Sequence, residues 1–226
     1  MVENVAKVSE VVLTGGQGVS QSGDLSTLDV VKGLKSALAV GSSNAAKNLN
    51  VSGAYWQNEL IKIAFPPEAQ IIANTLNDIG MGHLVTKATK SLNQAAEHAA
   101  IKSKPIFVAA ITKMTIQDAW GILNGPQNSA TQYLKRSTSN ELTKAFRPVI
   151  SSSLKQVNAT KYWGDAIRAY NLNPYAKKIN PDLTGYVTEK ALQGLFVTVA
   201  QEEKGIRKDP AKRVTSILQK VFGYKG

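Results

Sequence analysis

The side chains of this chain that could do chemistry are carboxylates and guanidinium groups, because it has no cysteine and only two histidines. The missing thiols exclude disulfides, thiolate metal sites and cysteine nucleophiles. Neither His83 nor His98 belongs to a His-Glu-x-x-His pair. The residues three before them are Gly80 and Ala95, where a di-iron helix bundle needs glutamates. No Gly-x-Ser-x-Gly elbow anchors a serine-hydrolase triad. No metal and no cofactor is therefore expected.

Glu97 is the most interesting carboxylate. It lies among Ala95, Ala96, Ala99 and Ala100, small residues that let a second helix come close. It reads either as a buried functional carboxylate or as one arm of a structural bridge to Arg136 or Arg147. The bridge is favoured, since buried charges are usually paired. Glu97, Asp118, Arg136, Arg147 and Tyr186 form the candidate polar cluster on which an enzyme would draw. Glu203 stands four residues before Arg207, the favourable order for a helical ion pair, and reads as a solvated pairing worth a few tenths of a kcal/mol.

Charge is unevenly distributed. From Lys144 to Gly226 there are 15 Lys/Arg against 6 Asp/Glu, whereas the preceding 143 residues hold 12 against 10. Lys204, Arg207, Lys208, Lys212 and Arg213 form a basic cluster that could bind phosphates or an anionic bilayer, at roughly 1 kcal/mol per charge near such a surface. A solvated face that keeps the chain soluble is the plainer reading. Net charge speaks to partners rather than to fold, so the expected partner is an anionic surface or polyanion: lipid head groups or envelope glycans before nucleic acid. Lys161, Tyr162, Trp163, Arg168 and Tyr170 interleave cations with aromatics as nucleic-acid binders do, but those rings read equally well as core anchors.

These residues need helices to position them. Thr27 can cap a helix with Leu34, Leu38, Ala45 and Leu49 on one face. Residues 50–66 break that pattern, with a short extended piece at Ile61, Ile63 and Phe65. Pro67 opens a segment ending at Gly80. A long helix from His83 to Lys102 carries Leu84, Ala88, Leu92, Ala95 and Ala99, and Pro105 kinks or restarts it. Thr115 to Asp118 reads as a capping signal, and Thr138 to Glu141 as a cleaner capping box opening a helix that Pro148 bends. Helices follow over 159–170, from the cap Asp182 through Leu183, Val187, Leu192, Leu195 and Val199, and from Asp209-Pro210 to Gly223. The fold class is all-α: one domain of about eight or nine helices over 27–226, behind a flexible leader over 1–26. Gly15-Gly16-Gln17-Gly18 in that leader lacks the Gly-Lys-Ser/Thr ending of a phosphate loop.

Four stretches carry a family resemblance: KPIFVAAITKMTIQDAWGIL from Lys104, ATQYLKRSTSNELTKAFRPVI from Ala130, DLTGYVTEKALQGLF from Asp182 and EEKGIRKDPAKRVTSILQKVFG from Glu202. In order and spacing, over about Val31 to Gly223, the chain resembles the uncharacterised bacterial family called domain of unknown function 4197. The resemblance implies a helical protein in a periplasmic or membrane-anchored, lipoprotein-like setting, with 1–26 as a tether. The residues themselves fit a cytoplasmic home as well. Ala109 and Gln193 stand where the family often has acids, and Gln94 where a base is common.

The first functional expectation is thus a non-catalytic binding protein engaging an anionic partner through the basic C-terminal third. A second is a carrier of an apolar ligand between helices, lined by Phe107, Ile111, Trp120, Phe146 and Phe196. A third is an enzyme using the Glu/Arg cluster.

Overall fold

A computed structural model describes residues 26–209 apart from 173, 175–177 and 179. Within these residues the chain is all-α, with eight α-helices and no strand. They are α1 (Thr27–Leu49), α2 (Gln70–Asp78), α3 (Gly82–Ala100), α4 (Ser103–Thr112), α5 (Ile116–Leu123), α6 (Ser129–Gln156), α7 (Ala159–Asn171) and α8 (Leu183–Lys208). The expected leader over 1–26 and the last helix after Pro210 lie outside the described residues, save for Ser26.

The two longest helices, α6 and α8, pack along one another and form the centre. Helix α1 lies on α8, α3 on α6, and α4 between α1 and α6, while the short α5 bridges α1 and α6. Leu34, Leu92, Phe107, Leu134, Phe146, Ile150, Val187 and Leu195 meet in one continuous apolar cluster. Among the described residues no single helix is long and apolar enough to cross a membrane. Helices α4 and α5 would qualify only together, and they meet at 108°.

Several local signals behave as read. Thr115 and Asp118 form a reciprocal capping box on α5, and Asp182 caps α8 by accepting the Gly185 amide at 2.9 Å. The chain restarts at Ser103 with Pro105 in the first turn of α4, where its missing N–H has no intrahelical acceptor to lose. Others are corrected. Ser26, one residue before Thr27, is the cap of α1, in a box with Asp29. Leu84 and Ala88 of the expected α3 stripe are not buried; the core takes α3 only from Thr89 onward.

Thr138 and Glu141 open nothing, because α6 runs unbroken through both and through Pro148. Thr138 is buried and donates its hydroxyl to the Leu134 carbonyl, four residues back, at 2.6 Å. It continues a row of Leu134, Leu142, Phe146, Ile150 and Leu154, all buried and one turn apart.

The piece around Ile61 to Phe65 forms no strand. Its polar backbone is met instead by Asn93 of α3, which accepts the Ile63 amide at 2.8 Å and donates to the Ile63 carbonyl at 2.9 Å. One side chain thus replaces the neighbouring strand that an extended segment would otherwise require. Tyr55 anchors the same connection from the other side. Its ring is fully buried, its hydroxyl donates to the Ala191 carbonyl at 2.8 Å, and its amide donates to Glu97 Oε1 at 3.0 Å.

Candidate functional site

The candidate polar cluster does not assemble. Glu97 is buried on α3, and its carboxylate holds the 50–66 connection through the Tyr55 amide rather than an arginine. The expected bridge to Arg136 or Arg147 is therefore corrected: the partner of the buried charge is a backbone donor. Asp118 sits on α5, tied to Thr115. Its carboxyl lies below the usual range because the Thr115 amide and hydroxyl donate to it, with a smaller contribution from the Arg136 charge. Tyr186 donates to the Ala64 carbonyl at 3.1 Å. Arg147 pairs with Asp182 through Nη2 at 2.7 Å.

The basic cluster also divides. Lys204 and Lys208 are exposed, and Lys212 and Arg213 lie outside the described residues. Arg207 turns inward. Its Nε donates to Glu203 Oε1 at 3.0 Å, and its Nη2 donates at 2.9 Å to the Ile122 carbonyl in the last turn of α5. Glu203 in turn accepts the Ala130 amide at 3.1 Å, the Thr131 amide at 2.8 Å and the Thr131 hydroxyl at 2.8 Å. Those amides belong to the first turn of α6 and have no partner within their own helix. The expected solvated pair is thus a buried staple, with side chains 8% and 15% exposed for Glu203 and Arg207. From α8 it ties the end of α5 to the start of α6.

Of the five aromatic and aliphatic residues expected to line an apolar pocket, Phe107, Ile111, Phe146 and Phe196 are core and Trp120 is exposed. Phe107 and Phe196 pack edge to face at 6.2 Å. A crevice between α1, α5, α6 and α8, walled by Leu34, Leu38, Ile122, Val199 and Ile206, holds about 30 Å³. That is room for a water or two, not for an acyl chain.

A larger feature was not foreseen. An open groove of about 390 Å³ runs between α6 and α8, walled by Lys135, Ser139, Thr143 and Arg147 on one side and by Gly185, Thr188, Glu189, Leu192, Gln193 and Phe196 on the other. The α6 residues recur every four positions, so a single row of that helix faces the groove. Lys135 and Arg147 mark its ends, about 18 Å apart at 1.5 Å per residue. Arg147 is held in place: Asp182 grips Nη2, and Gly185 opposite has no Cβ, which would come within 3.2 Å of Nη1. Burial alone would raise the Asp182 carboxyl; the Arg147 hydrogen bond, the Gly185 amide and the Arg147 charge outweigh it and hold it low.

Comparison with known families assigns residues 24–223 to "Protein of unknown function (DUF4197)". The chain belongs to the DUF4197 family. The match spans every described helix of this DUF4197 member, including both walls of the groove. No curated protein and no solved structure matches the chain.

Among the described residues no three His, Asp or Glu side chains converge as a metal site requires. The groove's row on α6 was nonetheless legible, because Lys135, Ser139, Thr143 and Arg147 follow the helical period. What hid it was the capping box read at Thr138 to Glu141, which divides that row between two elements.

Proposed function

We propose that this protein binds an anionic ligand without covalent chemistry, and that the seat of binding is the groove between α6 and α8. The supporting observation is the Arg147 guanidinium, braced by Asp182 at the groove wall with most of its N–H donors left to a ligand. A guanidinium held this way recognises carboxylate or phosphate oxygens in a defined geometry, and less side-chain freedom is lost when it does so. Lys135 supplies the second charge, and the volume lies in the range of small-molecule sites. The setting we assign is the bacterial envelope, where acidic glycans and lipid head groups supply anions.

This reading keeps the anionic partner expected from the charge distribution and moves its seat. Arg207 serves the fold, so the described part of the C-terminal cluster offers only Lys204 and Lys208 as exposed cations. The test compares two double variants on an immobilised polyanion over a salt gradient. Lys135→Gln with Arg147→Gln should elute at distinctly lower salt than the parent, whereas Lys204→Gln with Lys208→Gln should shift it little. The reverse order places binding on the C-terminal cluster and refutes the groove.

A further inference from the structure

From the hydrogen-bond direction of the groove's hydroxyl groups, and resting on the anion-binding reading above, we infer that the ligand is a short acidic oligosaccharide. Its uronate carboxylates would meet Arg147 and Lys135, and its hydroxyl groups would cross the middle of the groove.

The Ser139 hydroxyl donates to the Lys135 carbonyl at 2.6 Å, and the Thr143 hydroxyl donates to the Ser139 carbonyl at 2.8 Å. A carbonyl oxygen only accepts, so both hydroxyl hydrogens are already engaged along α6, and their oxygens offer the groove lone pairs alone. Across from them Glu189 carries a carboxylate, another pure acceptor, which takes one hydrogen from Gln193 Nε2 at 2.9 Å. The middle of the groove thus asks its ligand for O–H or N–H donors, while its ends ask for negative charge.

A phosphate chain fails this requirement, since its oxygens bring only acceptors. Sugar hydroxyls satisfy it, because each brings an O–H donor. A peptide that docks by pairing its backbone with a strand edge finds no edge in this groove. Both walls here are helices, whose mid-helix backbone groups are already bonded. The separation of the two cationic residues along the α6 axis, about 18 Å, exceeds the length of a single sugar and fits a short oligomer.

The experiment is calorimetric titration of the full chain with four probes of similar length: an oligogalacturonate, its neutral reduced counterpart, a linear polyphosphate and an oligoglutamate. Oligogalacturonate should bind at least tenfold more tightly than the other three. The double variant Ser139→Ala with Thr143→Val should lower that affinity about tenfold, as expected for two lost acceptors, and leave polyphosphate retention unchanged. If polyphosphate or oligoglutamate binds as tightly as oligogalacturonate, or the double variant binds it normally, the glycan is wrong and the anion groove stands. If no anionic probe responds to Lys135→Gln or Arg147→Gln, both readings fall.

Discussion

Removing the Glu203 carboxylate should destabilise this protein more than any exposed charge change. Glu203→Ala deletes an acceptor of four hydrogen bonds, from the Ala130 amide, the Thr131 amide and hydroxyl, and Arg207. Two amides of the first turn of α6 then lose their acceptor, and the Arg207 guanidinium, 15% exposed, loses its counter-charge. Breaking a buried pair from one side costs about 3–5 kcal/mol. A chain of this size loses roughly 2–4 °C in Tm per kcal/mol, so the expected fall is about 6–20 °C. Thermal unfolding followed by far-UV circular dichroism reads this directly, with Glu141→Ala, an exposed change on α6, as the control expected within about 0.5 kcal/mol.

Two further variants separate the staple from general damage. Glu203→Gln keeps one acceptor oxygen and turns an NH2 group toward donors, so it should fall between the parent and Glu203→Ala. Combining Glu203→Ala with Arg207→Met removes both members of the pair and should cost less than the two single changes added together. A Glu203→Ala protein that melts with the Glu141→Ala control would refute the staple, as would strict additivity in the cycle.

Four more perturbations test the fold around the groove. Gly194→Ala should destabilise by about 1–3 kcal/mol, because its Cβ would stand 2.6 Å from Tyr55 Cε1 and 3.2 Å from Ile61 Cβ; an unchanged urea midpoint would count against the packing described. Asn93→Ala leaves the buried Ile63 amide and carbonyl unpaired, a loss of about 2–4 kcal/mol, and amide exchange at Ile63 should accelerate. The Asp118 and Asp182 carboxyls are held low, so the stability they contribute is present above the ordinary aspartate range and is lost as pH falls through their folded values; Arg147→Gln should raise the Asp182 carboxyl, visible by NMR titration. Burial lifts the Tyr55 and Tyr133 hydroxyls, with help from the Glu97 and Asp118 charges respectively, so the stability they contribute is complete below the ordinary tyrosine range and is lost as pH rises through their folded values; Tyr55, the fully buried one, should show phenolate absorbance only as the protein unfolds in alkali.

Signals confined to one turn were legible in the sequence, and signals spanning elements were not. The caps at Thr115 and Asp182 need only their own next three residues, and both were read. Thr138 to Glu141 has the same local pattern, yet a cap requires the chain to leave the helix there, and the apolar row from Leu134 to Leu154 forbids it. Treating Thr138 as a core residue restores an unbroken row and would have joined the two halves of α6. Glu203 could have been suspected too, since it falls four residues after Val199 on the buried face of α8 and before the buried Ile206. Its partners lie 72 and 73 residues away, beyond what any periodicity reveals. Asn93 acts across 30 residues, with no local sign that its amide completes a distant backbone.

The same long-range contacts decide which cations of the described residues face solvent. Four carboxylates stand at helix N-termini: Asp29 at α1, Asp118 at α5, Asp182 at α8 and, reaching across from α8, Glu203 at α6. There they meet free amides and the positive end of the helix dipole. Cations have the mirror role at the carbonyl ends, as Lys35 does at Thr112 and Arg207 at Ile122, while others stay at the surface. On α6 this leaves Lys135, Arg136, Lys144, Arg147 and Lys155 against a single Glu141. Local charge density in the sequence counts Arg207 as available, although Glu203 and the Ile122 carbonyl hold it. The field of the folded chain depends on which cations the acids have left unengaged, and along the α6–α8 groove Lys135 and most of the Arg147 fork are among them.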